Sequence, residues 1–108
     1  MQTGDFYRGG PRLTARTDEV RIDQATNTLK NTRGLSVYDR PDHPNLRLFG
    51  GPYLLGEIPE QLQLIRAGRD PSHYELVPVQ SMSMTFDEYQ ALLDQIPLTP
   101  IEPPHEGA

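Results

Sequence analysis

Proline and glycine close off almost every apolar run in this chain. Eleven prolines and nine glycines are spread over 108 residues, about 19% against roughly 12% in an average protein. Proline withholds an N–H and clashes with the preceding helical turn, and glycine loses the most backbone entropy inside an element. Regular elements must therefore be short. Asp5 to Arg8 read as a strand stopped by Gly9, Gly10 and Pro11. Glu19 to Ile22 read as another, with a polar turn at Asp23 to Thr28 and a return at Leu29–Lys30. Gly34 opens a clearer strand, Leu35-Ser36-Val37-Tyr38, which alternates and ends at Asp39, Pro41 and Pro44. Residues 39–52 read as loop. Tyr53–Leu55 and Leu62–Ile65 are short apolar runs, and Pro59 argues against one helix across Glu57 to Arg66. His73 to Val79 reads as a strand, with Pro78 placing its far end at an edge or bend.

One helix is signalled, after Met84. Thr85 and Glu88 have capping-box spacing, hydroxyl to the N3 amide and carboxylate back to the N-cap amide. Phe86, Tyr89, Leu92, Leu93 and Ile96 then fall on one face, Asp87 and Glu88 suit the helix dipole, and Pro97 ends the run. Residues 97–108 carry four prolines and little to bury, and read as a flexible tail behind a single domain at 1–96. Several short strands with one late helix make an α+β fold with a mostly antiparallel sheet.

Composition removes several functions. There is no cysteine, so there is no disulfide framework, thiolate zinc site or cysteine nucleophile. The same lack suits a protein working in a reducing cytosol. No apolar run approaches the length of a membrane-spanning helix, and MQTGDFYRGG has neither the basic nor the apolar region of a secretory signal. His43, His73 and His105 are far apart, no HExxH, GxSxG or glycine-rich phosphate loop occurs, and no metal site is expected.

The formal charge of -5 makes the chain a poor general nucleic-acid binder. Its distribution says more. Residues 1–69 hold all ten bases and eight acids, whereas residues 70–108 hold seven acids and no base. Nine of the ten bases are arginine, whose planar fork suits carboxylate and phosphate. Two readings follow: a salt-bridged surface, or a site for a phosphorylated ligand between a basic and an acidic part.

Three places carry candidate chemistry. In Tyr7-Arg8-Gly9-Gly10 a strand ends in a charged fork beside bare backbone, which is either a surface strand end or an anion contact. Ser36 sits mid-strand among apolar neighbours, as a satisfied core hydroxyl or as a partner for a carboxylate or ligand. In His73-Tyr74-Glu75-Leu76-Val77-Pro78, His73 and Glu75 share one face and Tyr74 and Leu76 the other. That polar face is either solvated or functional.

Taken in order, these pieces resemble the arginine–serine–glutamate class of ADP-ribosyltransferases. They are similar in particular to the small toxins of that fold delivered by bacterial type VI secretion. The resemblance rests on Tyr7-Arg8, Ser36-Val37-Tyr38-Asp39-Arg40, Ile58-Pro59…Leu62 and His73-Tyr74-Glu75-Leu76-Val77-Pro78, and covers about residues 5–84. It implies split antiparallel sheets around a cleft that takes NAD as substrate, with a C-terminal helix. It implies catalytic roles for Arg8, Ser36 and Glu75, and an NAD-binding set of Tyr7, Arg8, Gly9, Ser36, Tyr38, Phe49 and His73. Arg8 would contact phosphate or ribose, and Gly9 would bring backbone to the nicotinamide amide. Ser36 would hold the glutamate or the ribose, Tyr38 or Phe49 would stack on nicotinamide, and Glu75 would stabilise the developing oxocarbenium. Where the larger family usually has a second glutamate or a glutamine two residues before the catalytic glutamate, this chain has His73, and the Ser-Thr-Ser pattern is missing.

The implied protein is a bacterial toxin acting in the cytoplasm, its own or that of a target cell. It modifies an intracellular acceptor or hydrolyses NAD, and is held in check by an immunity or antitoxin protein. The alternative is a non-enzymatic module, itself an immunity protein, antitoxin or adaptor, using the acidic last third and the helix at 86–96.

Overall fold

The structure is a computed structural model that describes residues 5–47 and 50–101. Every expected strand is present, most of them within a residue or two, and the two short apolar runs at 53–55 and 62–65 are strands as well. They are β1 (Tyr7–Gly9), β2 (Ile22–Asp23), β3 (Thr28–Leu29), β4 (Leu35–Tyr38), β5 (Pro52–Leu55), β6 (Leu62–Arg66) and β7 (His73–Pro78). Three details differ. Glu19 lies in a turn of 3-10 helix, Thr17–Glu19, so the second strand starts only at Ile22. The expected loop at 39–52 contains a single helical turn, α1 (Pro44–Arg47), opened by a proline whose missing N–H costs nothing at a helix start. The chain also does not leave the fold at Pro97, because Leu98–Pro100 forms β8, paired antiparallel with β5 from Leu55↔Leu98 to Tyr53↔Pro100.

Six strands make one antiparallel sheet in the order β6-β7-β4-β1-β5-β8, and β2–β3 form a separate hairpin. The architecture is therefore α+β with a mostly antiparallel sheet and few helices. The joints in the sheet are unequal. β4 and β7 are in register from Leu35↔Leu76 to Tyr38↔His73, and β1 and β5 from Tyr7↔Leu54 to Gly9↔Pro52. β1 and β4 are in register at Tyr7↔Tyr38 alone. The sheet thus has a seam at its middle, with β6-β7-β4 on one side and β1-β5-β8 on the other. Gly10, at φ 92°, turns the chain away just after β1.

Alternation along β4 sorts its side chains as period two requires, with Leu35 and Val37 fully buried and Ser36 and Tyr38 half-buried. The helix α2 (Phe86–Leu93) covers the apolar face with Tyr89 and Leu93. Its start is the expected capping box: Glu88 N–H donates to the Thr85 hydroxyl at 3.2 Å, and Thr85 N–H to the Glu88 carboxylate at 2.9 Å. The Tyr89 hydroxyl reaches the sheet, donating to the Leu76 carbonyl at 2.6 Å and accepting from Leu35 N–H at 2.9 Å. Only glycine fits beside this bridge, since a Cβ on Gly34 would lie 1.8 Å from the Leu76 carbonyl oxygen.

Candidate functional site

Arg8, Ser36 and Glu75 lie on β1, β4 and β7, which are neighbours in the sheet. Period two, however, puts Tyr7 rather than Arg8 on the face of Ser36 and Glu75, because Tyr7 opposes Tyr38. Ser36 and Glu75 are directly opposed in the β4–β7 register, so their side chains leave the same face. Tyr38 and His73 are opposed two residues further on, and Tyr7 opposes Tyr38 across the seam. Six of the seven positions in the expected NAD-binding set thus lie on or beside the seam. Phe49 lies outside the described residues.

Arg8 closes the seam in place of main chain. Its Nη1 donates to the Ser36 carbonyl at 2.8 Å, an acceptor that a continuous ladder would offer to β1 backbone. Its Nε is enclosed and has no hydrogen-bond partner. Tyr7 precedes Arg8, and burial, with a further push from Asp5, raises the Tyr7 phenol above its ordinary value.

Glu75 is 7% exposed, so the solvated alternative for this face does not hold at its centre. One carboxylate oxygen, Oε1, accepts from Gly34 N–H at 3.1 Å. The other, Oε2, lies 3.7 Å from His73 Nε2. His73 itself is fixed at both nitrogens: Nδ1 lies 3.0 Å from the Ala67 carbonyl and Nε2 lies 2.8 Å from Ser36 Oγ. The Ser36 hydroxyl is therefore bonded to His73 rather than to the glutamate, which is one of the two partners, with the ribose, that the resemblance implies for it.

Tyr38 is engaged on its face and at its hydroxyl. Its ring stacks on His43 at 4.0 Å and 27° and tilts against His73 at 5.4 Å, and its hydroxyl accepts from Asn45 Nδ2 at 2.9 Å. Stacking a ligand on the face toward His43 requires that histidine to move.

His43 and Asp70 form a pair beside Tyr38 that sequence reasoning missed. His43 is 5% exposed. Its Nδ1 accepts from Asn45 N–H at 3.1 Å, so its Nε2 carries the proton donated to Asp70 Oδ2. Asp70 Oδ1 accepts from Ser72 N–H at 2.9 Å. The His43 hydrogen bond, followed by the Ser72 amide, holds the Asp70 carboxyl below its usual value. One signal was present in the sequence: Asp70-Pro71-Ser72 has the composition of a turn closed by the aspartate on the amide two residues on. Nothing in the sequence paired it with His43, 27 residues earlier.

A cavity of about 850 Å³ lies elsewhere, between Phe6, Leu55 to Glu60, Leu62, Gln63 and Val79. None of Arg8, Ser36, His73 or Glu75 lines it, so size and chemistry point to different places. Chemistry is the better guide, because the cavity offers no titratable residue besides Glu57 and Glu60. Among the described residues no cluster of histidine and carboxylate side chains is arranged to hold a metal ion, and no helix is long and apolar enough to cross a membrane. Compared with protein-family models, with curated proteins and with solved structures, the chain finds no match.

Proposed function

We propose that this chain is an NAD-cleaving domain of the ADP-ribosyltransferase kind, and that it acts as a bacterial toxin in the cytoplasm. The observation that carries the reading is the placement of Arg8, Ser36 and Glu75 on three adjacent strands, β1, β4 and β7, with the arginine at the parted seam. The six strands form one hydrogen-bonded sheet rather than two separate ones, and the single paired position at the β1–β4 joint is what supports reading it as two halves.

The chemistry follows from charge. Breaking the bond between nicotinamide and ribose sends the electron pair out with nicotinamide and leaves positive charge on the ribose. A carboxylate held in place by a backbone amide, as Glu75 is by Gly34, rewards that charge without having to reorganise. Arg8 anchors the pyrophosphate through the donors it does not spend on Ser36, which fixes the leaving geometry. Gly9 leaves backbone accessible beside it. A domain that consumes NAD in its own cytosol requires a protein inhibitor, and a cognate immunity or antitoxin protein covering the seam is the partner that fits.

Expression in bacteria tests the reading. The wild-type chain is expected to arrest growth, and Glu75→Gln is expected to be tolerated at equal protein level. Arg8→Ala removes a bond that holds the seam, so Arg8→Lys is tested beside it: lysine keeps the charge but not the planar fork, and should also relieve the arrest. Arrest that survives Glu75→Gln and Arg8→Lys in folded protein overturns the assignment.

A further inference from the structure

The proton on His73 can be placed from its partners. Arg66 organises the turn before β7, with Nη1 donating to the carbonyls of Ala67 at 3.1 Å and Asp70 at 2.6 Å, and Nη2 to that of Gly68 at 2.7 Å. The Ala67 carbonyl so positioned also meets His73 Nδ1. A carbonyl only accepts, so Nδ1 carries the hydrogen. In the neutral ring Nε2 is then a bare lone pair, and the Ser36 hydroxyl 2.8 Å away donates to it. Ser36 Oγ keeps its own lone pairs free for an incoming donor.

Resting on the NAD-cleaving reading, we infer that Ser36 and His73 are a proton relay for the acceptor, and that the acceptor is a neutral hydroxyl, either water or an alcohol. As nicotinamide departs with the glycosidic electron pair, the acceptor oxygen forms the new bond to the ribose carbon. Its proton passes to Ser36 Oγ while the Ser36 proton passes to His73 Nε2. The imidazolium so formed faces the Glu75 carboxylate, whose Oε2 is 3.7 Å away. Its other neighbours are the Tyr38 ring and the Ala67 carbonyl. The His73 side chain is 20% exposed, so the proton can leave to solvent.

Charge decides the acceptor class. Glu75 is the one carboxylate of this cluster, and it is taken up by the ribose cation and by His73. A serine hydroxyl and a neutral imidazole attract no guanidinium or ammonium group, whereas they match a neutral O–H that has a proton to lose.

The test uses the purified full chain with NAD, offered methanol in one reaction and agmatine in another, with products identified by mass spectrometry. ADP-ribose and its O-methyl ether are expected, without an agmatine adduct. Ser36→Ala and His73→Asn should each slow nicotinamide release by about 100-fold or more at saturating NAD. The double variant should be no slower than either single one, because both break the same relay. Asparagine at 73 keeps a donor for Ala67, and circular dichroism checks the fold of both variants. An agmatine adduct formed in preference to the methyl ether overturns the acceptor class, and full-rate release by folded His73→Asn overturns the relay. Absence of nicotinamide release from the wild type overturns the NAD reading itself. Independently of turnover, long-range proton–nitrogen NMR of the ring must show Nδ1 protonated, and a ring protonated at Nε2 instead contradicts the relay.

Discussion

Tyr89 shows how much one residue contributes here and how little of that is visible from its own neighbourhood. The 3.6-residue spacing puts it on the apolar face of α2 with Phe86 and Leu93. Its hydroxyl, however, serves Leu35, 54 positions away, and Leu76, 13 positions away. Removing the oxygen in Tyr89→Phe leaves a buried N–H and a buried carbonyl without their partner, and should cost about 1–3 kcal/mol in chemical denaturation. Burial pushes the phenol up to about 12, with Glu19 and Glu75 adding to the rise and the Leu35 amide opposing it. The folded state therefore holds this proton more tightly than the unfolded state. Its contribution is complete below about pH 10, the ordinary tyrosine value, and is lost as pH rises toward 12. Denaturation midpoints measured across that range should fall in the wild type and fall less in Tyr89→Phe. The same blindness to distance hid the Ser36–His73 bond. The sequence put His73 and Glu75 on one face, but it could not say that Ser36 would choose the histidine.

Elements specified by local signals were legible. The capping box at Thr85 and Glu88 and the alternation of Leu35 to Tyr38 read directly into α2 and β4. Elements that exist only because a partner strand is present were not. β8 has three residues including Pro100, and its bonds come from β5, so nothing in residues 97–101 distinguishes it from a tail. The turn between β6 and β7 is similar, since it is built from Arg66 bonds to three carbonyls and from the reach of Asp70 to His43. Its behaviour with pH follows from Asp70. That carboxyl is held below its ordinary value by His43 and Ser72, so the folded state favours the ionised form. The contribution is present above about pH 4, the ordinary carboxylate range, and disappears as pH falls through the lowered value. Hydrogen exchange at the Ser72 amide should accelerate at acid pH relative to its intrinsic rate. In Asp70→Asn this amide should be less protected at neutral pH and show a weaker acid dependence.

At the scale of the molecule, the uneven charge of the sequence becomes an arrangement in space. β1 brings an arginine from the basic part and β7 a glutamate from the acidic part to the two sides of β4. The antiparallel α+β class was readable from short strands between Gly and Pro turns. The order β6-β7-β4-β1-β5-β8 was not, because β1 sits between strands that follow it in sequence, and such pairing is set by long-range packing rather than by local pattern. The seam that results is the centre of the account, and it is worth something only if NAD is cleaved there. The direct measurement is nicotinamide release from NAD by the purified chain, wild type beside Glu75→Gln, with and without bacterial lysate. The account predicts release by the wild type and a rate lower by about 100- to 1,000-fold in the folded variant. Equal rates in the two proteins, or no release by the wild type under either condition, would contradict it.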